Sequence, residues 1–368
     1  MRVIVPKLRF KEFEDDWKSF RLNDISIINP KNKILPEKFI YIDLESVNKG
    51  ILTKKNIIDK KDAPSRAQRT VLLNDILFQT VRPYQQNNYF INELDTLPYI
   101  ASTGYALIRT SQIPYFIYTI LYKKTFLNKV LDMCTGTSFP AINSNDLGTI
   151  DIRIPEKEEQ IKISNLLSLL DKKIELQKQK IEALKLYKIY LLKNVFNNTT
   201  LEKLKLKEIC TIKKGQQYNN DMLLNDGKYY MLNGGINPSG YLNECNSKSN
   251  TISISEGGNS CGYINYNKKP FWSGGHCYTL TDEKINNEYL FYLLKYNQAN
   301  IMRLRVGSGL PNIQKYDLEN FEIHIHTKDN HKNIAEIFKT FDFKIKIVEN
   351  KLSYLNKFKK SMLQKLFI

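Results

Sequence analysis

No run of 18 consecutive apolar residues occurs anywhere in the 368-residue chain, which excludes a membrane-spanning apolar helix. Residues 1–20 alternate charged and apolar side chains and lack the core of a signal peptide. Cysteine is sparse: Cys134, Cys210, Cys245, Cys261 and Cys277 are odd in number and form no Cys-x-x-Cys pair, so the expected setting is a reduced cytoplasm. No Gly-x-x-x-x-Gly-Lys-Ser/Thr loop is present to hold ATP. A DNA amino-methyltransferase would need a glycine-rich cofactor loop and an Asn/Asp-Pro-Pro-Tyr/Phe pocket, and neither Asn29-Pro-Lys nor Asn237-Pro-Ser supplies one. The only zinc candidates, His276-Cys277 and His324-x-His326, have the wrong spacing for a finger. His324 and His326 are expected to be ordinary surface residues. No clustered carboxylates with a lysine suggest a nuclease centre. These absences point to a binding subunit, with no cofactor or metal of its own and no membrane partner. A DNA methyltransferase or endonuclease with a cryptic centre is the alternative, and a coiled-coil scaffold for protein or RNA a third reading.

The chain does carry charge. Its 55 basic and 38 acidic side chains leave +17, which suits a polyanionic partner. Lysine, asparagine and isoleucine abound while arginine is scarce, so the charge alone is weak testimony.

A repeat organises the sequence. Shifted by 171 residues, 135–196 aligns without a gap to 306–367, with 17 of 62 positions identical, too many for chance. Gly136 matches Gly307, Pro140 matches Pro311, and Asp171 matches Asp342. A second echo, offset by 184, relates Trp17-Lys-Ser-Phe-Arg-Leu-Asn-Asp-Ile25 to Leu201-Glu-Lys-Leu-Lys-Leu-Lys-Glu-Ile209. Each half therefore reads as an opening strand, a variable body, a Gly-containing turn, a short strand and a long charged segment. The bodies themselves, about 30–134 and 212–305, share no obvious similarity.

The long segments, about 156–196 and 329–367, lack Pro and Gly and place apolar residues at heptad spacing. Ile163, Leu167, Leu170, Ile174, Ile181, Leu184, Leu191 and Val195 form one seam; Ile334, Phe338, Phe341, Ile345, Val348, Leu352, Leu355, Met362 and Leu366 form the other. Gln177, Lys188 and Lys359 interrupt them. Each helix would be ~60 Å long at ~1.5 Å per residue. One apolar seam needs a mate, and the other copy is the nearest. The expected fold is α+β: two tandem mixed α/β domains joined by two long helices in an antiparallel coiled coil, pseudo-two-fold symmetric. The expected segments are 1–155, 156–198, 199–327 and 328–368.

Within body one, strands are expected at 39–44, 71–80 and 99–109 and a helix at 114–131; body two should place strands at 229–232, 251–255, 262–266 and 277–280 and a helix at 287–304. The candidate DNA-reading residues sit between strands. Body one offers Ser65, Arg66, Gln68 and Arg69 in the loop 63–70, then Thr80, Arg82 and Tyr84 in 79–88. Body two offers Gln216, Gln217, Asn233, Asn237, Asn259, Arg303 and Arg305. Arg bonds guanine bidentately, and Asn or Gln pairs with adenine. Gly234-Gly235 and Gly257-Gly258 would allow close backbone approach to a ligand.

With these features on the page, the chain resembles the specificity subunit of a Type I restriction–modification system. The likeness lies in Val5-Pro-Lys-Leu-Arg-Phe with the following residues to Ile25, in Pro155-Glu-Lys-Glu-Glu-Gln-Ile161, in Asp171-Lys-Lys-Ile174, and in Gly258-Asn-Ser-Cys-Gly-Tyr263 with Pro270-Phe-Trp272. The second copy departs from it: His326-Thr-Lys-Asp-Asn-His331 replaces the proline-led helix start. The resemblance implies two target-recognition domains that each read half of a bipartite double-stranded DNA site, in defence against foreign DNA. It implies helices that set the spacer and dock two modification subunits. It also implies restriction subunits. S-adenosylmethionine, ATP and Mg are then expected only in those partner subunits.

Overall fold

The computed structural model describes residues 5–31, 34–197, 201–307 and 309–367. The first four residues of the stretch inspected for a leader lie outside the described residues. The chain divides into two compact units, Met1–Gln177 with Lys351–Ile368, and Lys178–Asn350.

In unit 1 the opening strand Lys18–Arg21 pairs antiparallel with Asp151–Ile154, setting Lys18 opposite Ile154 and Phe20 opposite Ile152. A single helical turn, Leu22–Ile25, follows; the Arg21 backbone N–H donates to Asp24 Oδ2 at 3.0 Å, tying down its start. The body has two sheets. One has the strand order Ser26–Ile28, Tyr105–Thr110, Ile76–Gln79, Tyr89–Phe90; the other runs Asn56–Asp59, Lys38–Ile42, Tyr99–Ser102, Ala67–Thr70. Strand alternation assigns the faces. Phe78, Ala106 and Ile108 join Phe116, Val130, Ile163 and Leu167 on the helical side. Leu77, Tyr105 and Leu107 meet Ile40, Ile42 and Tyr99 between the sheets.

Unit 2 repeats the frame. Glu202–Lys205 pairs antiparallel with Glu322–Ile325 in the corresponding register, and the Lys205 N–H donates to Glu208 Oε2 at 2.5 Å. Its first sheet has the order Thr211–Lys214, Cys277–Thr281, Thr251–Ser255, Ile264–Asn267, which is the unit 1 order strand for strand. The second sheet, Gly240–Leu242, Tyr229–Leu232, Trp272–Ser273, matches three strands of its counterpart, and among the described residues no strand takes the place of Ala67–Thr70. The bodies that share no sequence thus share a topology. Ladder bonds are made by backbone, so the strand order survives loss of side-chain identity.

The two long helices span Lys157–Phe196 and Lys328–Lys365. In unit 1, Leu170 and Ile174 of the first pack with Leu352 and Leu355 of the second, while Ile163 and Leu167 share a cluster with Met362, Leu366 and Phe367. Rising numbers meet falling ones, so the pairing is antiparallel. In unit 2, Lys185 Nζ lies 3.6 Å from Glu349 Oε1 and Phe196 stacks on Phe338, again antiparallel. The lysines that interrupt the seams are paired. Lys359 meets Asp171 in unit 1, and Lys188 meets Asp342 in unit 2. Because Asp342 is the repeat equivalent of Asp171, and Lys359 of Lys188, one ion pair is made twice with the roles of the copies exchanged. A tyrosine hydroxyl completes each: Tyr115 on Asp171, and Tyr292 on Asp342 at 2.8 Å.

Several expectations change. The 63–70 loop is half strand, because Ala67 to Thr70 pair with Ser102 to Ile100. The 71–80 strand begins only at Ile76; a turn precedes it, with the Leu72 N–H on Asp75 Oδ2 at 2.7 Å. The 114–131 helix splits into Pro114–Ile120 and Lys124–Asp132, where the Tyr122 hydroxyl donates to Asn88 O at 2.9 Å and Lys123 turns extended to start the second piece. His326 is no ordinary surface residue. It is half-buried, edge-on to Phe196, with Nδ1 2.9 Å from the Tyr289 hydroxyl. The second helix start is also resolved: His331 Nε2–H donates to His326 O at 2.8 Å, as Gln160 Nε2–H donates to Pro155 O at 2.8 Å in the other copy.

Candidate nucleic-acid interface

In unit 1 a tight turn, Ser102-Thr103-Gly104, gathers the two candidate segments. The Thr103 N–H donates to Arg66 O at 2.9 Å, and the Thr80 N–H and hydroxyl donate to Gly104 O at 3.0 and 2.8 Å. Ser65, Arg66 and Gln68 are exposed on this edge, with Gln68 Nε2 on Ser65 O at 2.7 Å. Arg69 is half-buried; burial pushes its pKa below the usual guanidinium range, and its Nε has no hydrogen-bond partner. Arg82 sits in left-handed backbone at φ 54°, an uncommon state for a non-glycine. Its N–H is fixed by Pro140 O at 2.7 Å, and its guanidinium lies 4.2 Å over the exposed Phe139 ring, with Nε again unpartnered. Buried donors without partners cost stability, and two of them lie on this one edge. Tyr84 is exposed on the Pro83–Gln85 turn. Buried Gln79 holds the loop from below, giving Nε2–H to Val81 O at 2.8 Å and accepting the Asn87 N–H at 2.9 Å. Thr80 is the exception among the candidates. It is buried with its hydroxyl spent on Gly104, so it shapes the edge without facing a ligand.

In unit 2 the turn from Ser273 to His276 holds the matching place. The Gln216 N–H donates to Ser273 O at 2.8 Å, Trp272 Nε1–H to Gln216 O at 3.1 Å, and the His276 N–H to Asn233 Oδ1 at 3.0 Å. Gln216 and Gln217 are exposed, and a Cβ on Gly275 would come 2.4 Å from Gln217 Oε1. Asn237 and Asn259 are exposed on neighbouring loops. Gly258, at φ +73°, gives its N–H to Pro311 O at 2.9 Å and has open space where a Cβ would stand; it is the counterpart of Arg82, whose N–H meets Pro140 O. Arg305 lies close enough to Cys261 to oppose the burial that raises the thiol pKa. Arg303 is exposed and reaches back to Asn300 Oδ1 at 3.3 Å, apart from these contacts. The same edges also hold residues that the sequence did not single out for reading DNA: Phe139 under Arg82, Tyr218 edge-on to Trp272, and Glu256 beside His276. The histidine was weighed only as a metal ligand, and nothing local marks the others. Among the described residues no group of three His, Cys, Asp or Glu is placed to hold a metal, and no helix is long and apolar enough to cross a membrane.

Two bodies of like strand order, one gathering arginines and amides and the other amides at a turn, agree with what comparison finds. The family model described as "Type I restriction modification DNA specificity domain" matches residues 14–186 and again 198–357. The chain belongs to this family. A putative type I specificity subunit of Mycoplasma pneumoniae is 33% identical over 174 residues, covering 46% of each chain, so the match spans about half the length of that relative. The specificity subunit of the type I restriction enzyme MjaVIII of Methanocaldococcus jannaschii is 23% identical over 411 aligned positions, covering 95% of this chain and 91% of its own. In fold, the chain is similar to the crystal structure of the type I restriction–modification S subunit of M. genitalium, with a TM-score of 0.67 at 19% identity and 99% of each chain covered. The tandem matches break between residues 186 and 198, ahead of the second opening strand Glu202–Lys205, so this specificity-family chain carries two copies of the domain.

Proposed function

We propose that this chain is the non-catalytic DNA sequence-specificity subunit of a cytoplasmic type I restriction–modification complex. Each unit reads one half of a bipartite double-stranded site. The antiparallel helices fix the spacer and dock two modification subunits, which carry S-adenosylmethionine; restriction subunits bring ATP and Mg chemistry. The observation that supports this most is the pairing of a common frame with unlike edges. Both heads fold on the same four-strand order, yet one edge presents Arg66, Gln68 and Arg82 and the other Gln216, Gln217 and Asn233. Such side chains donate and accept in the pattern of base edges.

Charge supports a shared task. Residues 1–155 carry +6 and 201–327 only +2, so neither head is intensely basic. Phosphate contacts dominate affinity, and here the partner subunits supply most of them. The isolated chain should bind duplex DNA weakly. Filter binding of the chain, alone and with its modification subunits, tests this on duplexes altered in one half-site at a time. Damage to either half should weaken the complex, and tight site-specific binding by the chain alone would contradict the division of labour.

A further inference from the structure

Resting on the reading of unit 2 as a DNA-facing head, we propose that Glu256 is a positioning residue that aims the His276 imidazole at one base pair of the second half-site. Glu256 is 7% exposed. Its Oε1 accepts from Lys214 Nζ at 2.6 Å and from the Tyr278 hydroxyl at 3.1 Å. Its Oε2 has no hydrogen-bond partner and stands 3.5 Å from His276 Nδ1. A buried carboxylate is expensive unless it is paired and hydrogen-bonded; Lys214 and Tyr278 compensate Oε1, and Oε2 alone is left without a hydrogen bond.

The framework does not require a carboxylate here. The Glu256 N–H donates to His276 O at 2.9 Å and Glu256 O accepts from the Ile313 N–H at 2.9 Å. In unit 1 the same two bonds are made by Thr80, with Gly104 O at 3.0 Å and the Ile142 N–H at 3.1 Å. A neutral threonine therefore closes the same junction.

What differs is the residue across the turn, glycine in unit 1 and His276 in unit 2. The histidine backbone is pinned by Asn233 Oδ1 at 3.0 Å. Gly234, at φ +79°, keeps clear a space in which a Cβ would come 3.2 Å from the His276 Cβ. The imidazole itself is 61% exposed. With Nδ1 turned to the carboxylate, Nε2 is left for an outside partner. A carboxylate that accepts the N–H of one ring nitrogen fixes ring orientation and tautomer, and Glu256 Oε2, 3.5 Å from Nδ1 and otherwise unpartnered, is placed to take that role.

The test uses the chain assembled with its modification subunits and a panel of duplex competitors, each changed at one base pair. His276→Ala should lower discrimination at a single base pair of the second half-site by about tenfold, leaving the first half-site profile unchanged. Glu256→Thr, which copies unit 1, should flatten the same position. Glu256→Gln keeps an acceptor for Nδ1–H and should retain most of the discrimination. The other positions of the second half-site, which should keep their discrimination, control for the folding of unit 2, where both residues lie. Unchanged discrimination in His276→Ala overturns the proposal. So does an equal loss against every competitor, which would make His276 a phosphate contact. If the wild type discriminates at no position of either half-site, the DNA-reading function itself fails, a result separable from both.

Discussion

The two units differ where their frames do not. Unit 1 has a four-stranded second sheet and fills the space between its sheets with Ile40, Ile42, Val71, Tyr99, Leu107 and their neighbours. Unit 2 has three strands there, around the small cluster of Leu232, Phe271 and Cys277. The offset between copies falls from 184 at the opening strand to 171 at the closing one, so the first body is longer by 13 residues. The added strand Ala67–Thr70, which carries Gln68 and Arg69, belongs to that longer body. The lesson is that the helix ends and the opening-to-closing strand pair are kept, while the turn that gathers the candidate side chains is free to change.

Equivalent substitutions can break or sharpen this comparison. The largest effect is expected from the aromatic ends of the two helices. Phe196, 3% exposed among Tyr289, Tyr296 and Phe338, and Phe367, 4% exposed against Trp17 and Phe116, are repeat equivalents. Phe196→Ala should cost unit 2 about 3–5 kcal/mol, and Phe367→Ala should cost unit 1 a similar amount. Hydrogen-exchange mass spectrometry resolves which unit loosens, and loosening in the wrong unit would break the reciprocal pairing. Next comes an ion pair of unit 1 with no counterpart among the described residues of unit 2. Arg9 Nη2 lies 2.8 Å from Glu159 Oε2, with the Glu159 side chain 2% exposed. At the equivalent position Asn330 is exposed and donates to Thr327 Oγ1. Glu159→Ala should cost about 3 kcal/mol by stranding the arginine, whereas Asn330→Ala should stay within about 0.5 kcal/mol in denaturant titrations.

Smaller effects follow. Asp171→Asn and Asp342→Asn remove the reciprocal lysine pairs, which are partly exposed, so each should cost about 0.5–1 kcal/mol, and equally. The smallest is a pH effect confined to unit 2, which holds all four histidines. Burial lowers the pKa of His326 and His331 below 6.5. His331 stacks 3.9 Å from the Tyr289 ring, and its Nδ1 has no acceptor for a second proton. The unfolded chain therefore takes up the extra protons, and unit 2 loses stability as pH falls below about 6.5 while unit 1 feels none of this term. His331→Gln, copying Gln160, should flatten part of that slope when exchange is compared at pH 7.5 and 5.5.

How much of this could be read beforehand follows from which atoms do the work. The frame was legible because side chains specify it. The heptad seams need apolar residues at fixed spacing, and Ile152, Ile154, Ile323 and Ile325 must alternate inward on the closing strands. Lys188 and Lys359 stood out as polar residues in apolar seams, and the structure gives them Asp342 and Asp171. The common topology of the bodies was not legible, because backbone ladders leave little trace in sequence. The arrangement of the candidate residues was half legible. The segments with Arg66, Arg82, Gln216 and Asn233 do converge on one turn in each unit. Thr80 and Glu256 could not be told apart from exposed neighbours, because their roles depend on a glycine or histidine more than twenty residues on or, for Glu256, twenty residues on across a hairpin.

The central claim is that two unlike heads on one frame read two unlike half-sites at a spacing set by the helices. Methylome sequencing of cells expressing this chain with its modification subunit tests it most directly. The account predicts a split motif of two short specified halves around an unspecified spacer, with adenine modified on both strands. Four residues inserted after Gln177, about one helical turn, should lengthen the spacer or abolish modification and leave the halves intact. A single continuous motif, or halves that change while the spacer stays fixed, would contradict it.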